Sequence, residues 1–176
     1  MPLLNAKTAT LVIVDFQSRL MPAIHDGARM VENAKRLVDA AKLLAVPVLM
    51  TEQNPAGLGG TVPELADAGP VITKMSFDSC AEPAFLEALA GDGELVLCGC
   101  EAHVCVVQTV LGLLAKGRSV ALVRDAVGSR DPANRDAALE RAKARGAELV
   151  TTEMVVFEWL GTSDHPRFRE ALRLVK

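Results

Sequence analysis

The sequence predicts an α/β fold in three layers, with helices on both faces of a mostly parallel, six-stranded sheet. Three observations lead there. Short runs rich in Val, Ile and Leu recur along the chain, each run is apolar throughout rather than alternating, and longer stretches with three- and four-residue apolar spacing separate them. Continuous apolar runs mark strands covered on both faces, and the intervening amphipathic stretches are the helices that cover them.

The strands are expected at 9–15 (ATLVIVD), 47–52 (PVLMTE), 70–74 (PVITK), 94–100 (ELVLCGC), 119–124 (SVALVR) and 147–151 (AELVT). Between the first two, residues 28–45 place Ala28, Val31, Ala34, Leu37, Val38, Ala41 and Leu44 on one helical face, and 103–116 and 133–145 repeat the pattern with Ala and Leu. Asp131-Pro132 reads as an N-cap followed by proline in the first turn, and Gly146 as the stop of that helix. Residues 53–69 hold two prolines and four glycines with little periodicity, so they read as a long loop leaving the second strand. The tail, 152–176, reads as two short helices around the break at Gly161-Thr162-Ser163-Asp164.

At 176 residues the chain is expected to form one domain, 1–176, large enough to bury a core without disulfides or structural metal. Its longest apolar runs are far short of the ~20 residues of a membrane span, so no membrane partner is expected. The opening MPLLNAKTAT lacks a basic segment leading into an apolar one, which points to a cytoplasmic setting. Three of the four cysteines fall within eight positions, at 98, 100 and 105, and read as reduced thiols. His25, His103 and His165 are scattered and match no zinc spacing, so no metal is expected. A net charge of −3, no Tyr and one Trp argue against nucleic acid as a partner.

Ligands of open parallel sheets bind beyond the carboxyl ends of the strands. Asp15 follows LVIV, Lys74 follows VIT, and Cys105 stands near the start of the helix after LVLCGC. If the first and fourth strands are neighbours, these three residues meet in one crevice. Singly each has a plain reading: a helix cap, a solvated strand end, a small buried hydrophobe. Together they form a coherent chemistry. A helix N-terminus and a nearby ammonium favour the thiolate of a nucleophilic cysteine, and Asp15 would take the thiol proton and return it to a leaving group. Backbone amides around Glu101 and Cys105, at the strand-to-helix turn, are placed to hold an oxyanion.

LVIVDFQ, the ITK at 72–74 and LVLCGCEAHVCVVQTVLGLLAKGRSVALVRDAVGSR at 95–130 resemble the cysteine hydrolases of the isochorismatase-like family, over roughly residues 8 to 170. TEQNPAGLGGTVPEL at 51–65 and GCEAHVC at 99–105 resemble its isochorismatase domain-containing subgroup, whose substrates are mostly unassigned. The resemblance implies a Rossmann-like strand order 3-2-1-4-5-6, a triad of Asp15, Lys74 and Cys105, a non-proline cis peptide between Cys100 and Glu101, and a homo-oligomer. Nicotinamidases of the superfamily hold a metal after the second strand through an aspartate and histidines. Here that stretch reads Thr51-Glu52-Gln53-Asn54 with no histidine, so no cofactor is expected.

The function expected is hydrolysis of a small-molecule amide or related C–N bond through a covalent cysteinyl intermediate. Phe16, Gln17, Glu52, Gln53 and Phe77, at strand ends beside the triad, are expected to line the substrate pocket. Glu101 is expected to contribute its backbone only, His103 to lie on a helix surface, and Cys98 and Cys100 to be core. The alternatives are a non-catalytic scaffold that keeps the fold, or a redox sensor built on Cys105.

Overall fold

The computed structural model describes residues 3–89 and 91–176. Six strands form one parallel sheet: β1 (Thr10–Val14), β2 (Val48–Gln53), β3 (Val71–Lys74), β4 (Leu95–Cys100), β5 (Val120–Gly128) and β6 (Glu148–Val150). Their order is β3-β2-β1-β4-β5-β6, so the chain winds outward from β1 in both directions. This is the expected order, and it sets β1 and β4 side by side.

The central strands lie where unbroken apolar sequence demands double cover. Leu11 and Ile13 face a core shared with Leu37, Val38, Val155 and Trp159, on the layer built by α1 (Gly27–Leu44) and later helices of the tail. Val12 and Val14 face the opposite core with Leu97, Val106, Val110 and Leu139. Gly99 is required by close approach: a Cβ there would sit 2.4 Å from the carbonyl oxygen of Val14 on β1.

The loop after β2 contains a short helix, α2 (Pro55–Leu58), and a single 3-10 turn at Pro63–Leu65. A helix the apolar spacing did not reveal, α3 (Pro83–Ala88), lies between β3 and β4; six residues are too few for periodicity to show. The expected helix at 103–116 begins as a π-helical turn, Ala102–Val106, and continues as α4 (Val107–Ala115). β5 runs four residues past its expected end, from Asp125 to Gly128, because its pairing with β4 slips between Leu97 and Gly99 and then resumes. α5 (Pro132–Ala144) starts where its cap predicts, with the Asp131 carboxylate accepting from Ala133 N at 2.9 Å. α6 (Thr152–Leu160) ends at left-handed Gly161, and α7 (Phe168–Val175) packs back on α1 and α6. Among the described residues no helix is long and apolar enough to cross a membrane.

Candidate active site

β1, β2 and β4 deliver their carboxyl ends to one place. Val14 pairs with Thr51 on one side and Gly99 on the other, and Gln53 pairs with Lys74 on edge strand β3. Asp15 stands one residue beyond β1 with φ of 54°, a left-handed conformation that aspartate tolerates better than most residues at a cost of about 1–3 kcal/mol. Two interstrand steps of ~4.8 Å separate β1 from β3, so only a long side chain on β3 can reach Asp15. Lys74 does: its Nζ donates to Asp15 Oδ2 at 2.8 Å.

This ion pair is fully buried. The ammonium has three donors, and three oxygens receive them: Asp15 Oδ2, the Ser76 carbonyl at 3.2 Å and the Phe77 carbonyl at 3.3 Å. The second carboxylate oxygen of Asp15 accepts from the Thr51 hydroxyl at 2.7 Å. Thr51 is therefore part of the site although its role is invisible in sequence, where it reads as one more β-branched strand residue. The carboxylate is fixed from two sides.

Cys105 comes from the π-helical turn, whose first residue follows the Cys100–Glu101 peptide, which is cis. The Glu101 carbonyl accepts from Val104 N at 3.1 Å and Val106 N at 3.2 Å, which tightens the turn around the cysteine. Burial pushes the Cys105 thiol up to about 12; the Asp15 carboxylate adds to the rise and Lys74 opposes it. Lysine and a helix start favour the anion, but desolvation and an adjacent carboxylate outweigh them. The balance at Cys105 therefore lies toward the protonated thiol, with the Asp15 carboxyl beside it.

Asp15 and Cys105 open onto a cavity of about 310 Å³, at the small end of ligand sites. Leu20, Leu58, Phe77 and Val104 form apolar walls, and Gln53, Glu101 and Arg130 add polar groups. Larger clefts, such as one of about 600 Å³ lined by Leu43, Leu44 and Trp159, lie away from this chemistry. Of the expected pocket residues, Gln53 and Phe77 line the cavity, whereas Phe16, Gln17 and Glu52 do not. Phe16 is buried in the core with Leu11 and Ile13, because the left-handed Asp15 breaks the alternation of β1 and turns the next side chain to the α1 face. Gln17 is a buried clamp, donating to the carbonyls of Gln53 and Gly59 at 3.0 and 2.6 Å and accepting from Gln53 N at 2.8 Å. Glu52 holds the following loop through Thr61 N and Thr61 Oγ1, both at 2.7 Å.

Glu101 does more than lend its backbone: its side chain lines the cavity and accepts from Arg130 Nε at 2.9 Å and Arg130 N at 3.2 Å. His103 is half-buried rather than on an open helix surface, with Nδ1 3.0 Å from the buried Ser129 hydroxyl. Cys98 and Cys100 are fully buried in the sheet, as expected of core. Among the described residues no group of three His, Cys, Asp or Glu side chains is placed to hold a metal ion.

Residues 9–154 match the family model described as the isochorismatase domain. The chain belongs to the isochorismatase-domain family. Within it, the isochorismatase domain-containing protein 2 of Xenopus laevis is 40% identical over 176 residues, which are 98% of this chain and 85% of that protein. A solved structure described as MAR1 ribonuclease, from Caenorhabditis elegans, is 36% identical with a TM-score of 0.94, covering 98% of this chain and 91% of that one. YcaC from Pseudomonas aeruginosa, solved with hexane-2,5-diol and covalent acrylamide, is 26% identical with a TM-score of 0.88, covering 98% and 91%. A hydrolase of the isochorismatase family is the class these likenesses support.

Proposed function

We propose that this isochorismatase-domain protein hydrolyses a small amide or related C–N bond, with Cys105 as nucleophile, Asp15 as proton carrier and Lys74 as the group that holds Asp15 in place. One observation carries the reading: a buried thiol and a buried carboxylate share one small cavity, and the ion pair with Lys74 is sealed behind them. A thiol pushed up by burial, with a carboxyl beside it, suits proton transfer during attack rather than a standing thiolate.

In the first half-reaction Cys105 Sγ bonds to the carbonyl carbon as its proton passes to Asp15. Backbone amides of Glu101 and Cys105 hold the resulting oxyanion. The C–N bond then breaks, the nitrogen takes the proton from Asp15, and a thioester remains on Cys105. In the second half-reaction water gives a proton to Asp15 and bonds to the thioester carbon. The C–S bond breaks, the sulfur takes the proton back, and a carboxylic acid leaves. The covalent acrylamide in the YcaC structure supports a reactive site in this fold that admits a small amide. The exposed apolar side chains Met75 and Phe77 near the cavity support self-association into a homo-oligomer of single-domain chains, and a cytoplasmic setting accords with free cysteines.

The test is a screen of small primary amides for ammonia release, with intact-mass detection of an acyl adduct. An adduct localised to Cys105, with turnover lost in Cys105→Ala and in Asp15→Asn, is the expected result. Turnover that survives Cys105→Ala overturns the mechanism. The relative described as a ribonuclease supplies a second reading, RNA hydrolysis, and digestion of a mixed RNA pool by the wild type but not by Cys105→Ala would replace amides with RNA as the substrate.

A further inference from the structure

We infer that the Glu101 side chain is a positioning residue: through Arg130 it ties the turn bearing the oxyanion-binding amides to the loop after β5, an inference that rests on the hydrolase reading of the same cavity. The sheet creates the need for such a tie. β4 and β5 pair as far as Cys100 and Gly128, and there the ladder ends. Beyond it one segment enters the π-helical turn that presents Cys105, and the other enters the loop before α5. The N–H groups of Glu101 and Cys105, the donors assigned to the oxyanion, thus stand past the last backbone pairing of the two strands. A misplacement of ~1 Å at a reacting centre can cost about 10²-fold in rate, so these donors require another restraint.

Side chains take over where the ladder stops. Glu101 Oε1 accepts from Arg130 N at 3.2 Å and from Arg130 Nε at 2.9 Å. Two residues on, His103 Nδ1 lies 3.0 Å from Ser129 Oγ, so positions 101 and 103 of the turn are matched to 130 and 129 of the loop. That loop is a firm anchor: the Ser129 carbonyl accepts from His25 N at 3.1 Å, and Asp131 caps α5. The Glu101 carbonyl is engaged as well, by Val104 N and Val106 N, so the residue is held through its side chain and its backbone at once. Charge accounts for an arginine as the partner. An unpaired carboxylate beside a developing oxyanion would repel it, and the guanidinium offsets that repulsion. Burial acts to raise the Glu101 carboxyl, but the hydrogen bonds and charge of Arg130 bring it below the usual carboxylate range, which keeps Oε1 an acceptor for both donors. The Glu101 side chain is only 11% exposed, so little water competes for that oxygen.

Two reagents that meet the same sulfur isolate the oxyanion donors from the state of the thiol. With p-nitrophenyl acetate the sulfur bonds to the carbonyl carbon through a tetrahedral oxyanion and p-nitrophenolate leaves; with iodoacetamide it displaces iodide and no oxyanion forms. Mass spectrometry of the Cys105 peptide at pH 8 follows both rates. In Glu101→Ala the ratio of acylation to alkylation is expected to fall about tenfold or more, and Glu101→Gln, which keeps an accepting oxygen, should recover part of the loss. Arg130→Ala keeps the backbone bond to Oε1 and should fall between wild type and Glu101→Ala. Its side chain is 63% exposed, so it carries the test should Glu101→Ala fail to fold. An unchanged ratio in the variants that fold overturns the inference and leaves the hydrolase reading standing. A loss that Glu101→Gln shares in full overturns it too, because charge rather than the tie would then be responsible. A wild type that p-nitrophenyl acetate does not acylate at Cys105 sinks the hydrolase reading and the inference together.

Discussion

Replacing Lys74 by Met removes the ammonium while keeping an unbranched apolar stem, so the change isolates the charge. In the native protein that ammonium lies 2.8 Å from Asp15 Oδ2 with neither side chain open to water. Deleting one partner of such a pair strands the other charge in a dry site, which costs about 3–5 kcal/mol. For a chain of this length each kcal/mol moves the melting temperature by roughly 2–4 °C, so Lys74→Met is expected to melt about 6–20 °C lower. Urea unfolding followed by circular dichroism gives the free energy directly. The double variant Lys74→Met with Asp15→Asn supplies the control, since a neutral amide needs no counter-charge and more than half of the lost stability should return. The same substitution removes the one influence that opposes the rise of the Cys105 thiol, so iodoacetamide should alkylate Cys105 more slowly at pH 8 than in the wild type. A Lys74→Met protein within 1 kcal/mol of wild type, with unchanged alkylation, would refute the claim that this lysine compensates a buried charge.

Thr51→Val keeps the strand shape and deletes only the hydroxyl that donates to Asp15 Oδ1 at 2.7 Å. A hydrogen bond to a charged group is worth about 1.5–3 kcal/mol, and a urea-melt difference under 0.5 kcal/mol would show that Thr51 does not hold the carboxylate. Burial pushes the thiols of Cys98 and Cys100 above the ordinary range. Because folding raises these values, the folded state keeps the protons longer, and stability is whole below the unfolded thiol value and falls as pH climbs past about 9. From pH 8 to 10 the two thiols together should account for a loss of about 3–4 kcal/mol. Cys98→Ala with Cys100→Ala should flatten that decline, and an unchanged slope would place its origin elsewhere.

The strands and their double burial were legible because a continuous apolar run reports local chemistry that does not depend on distant residues. Asp15, Lys74 and Cys105 were legible for a related reason: polar groups at the carboxyl ends of buried strands stand out against their neighbours, and the resemblance supplied the order that joins β1 to β4. Phe16, Gln17 and Glu52 share that sequence position with Gln53 and Phe77, yet the backbone sends them elsewhere, and the left-handed turn at Asp15 that moves Phe16 to the α1 face leaves no periodic signal in the sequence. Thr51 and Arg130 acquire their roles from partners 36 and 29 positions away along the chain. The protonation of Cys105 belongs with these. Sequence supplies the lysine and the helix start that favour a thiolate, but desolvation depends on everything that closes over the sulfur, and only the assembled fold sets the burial that pushes this thiol up.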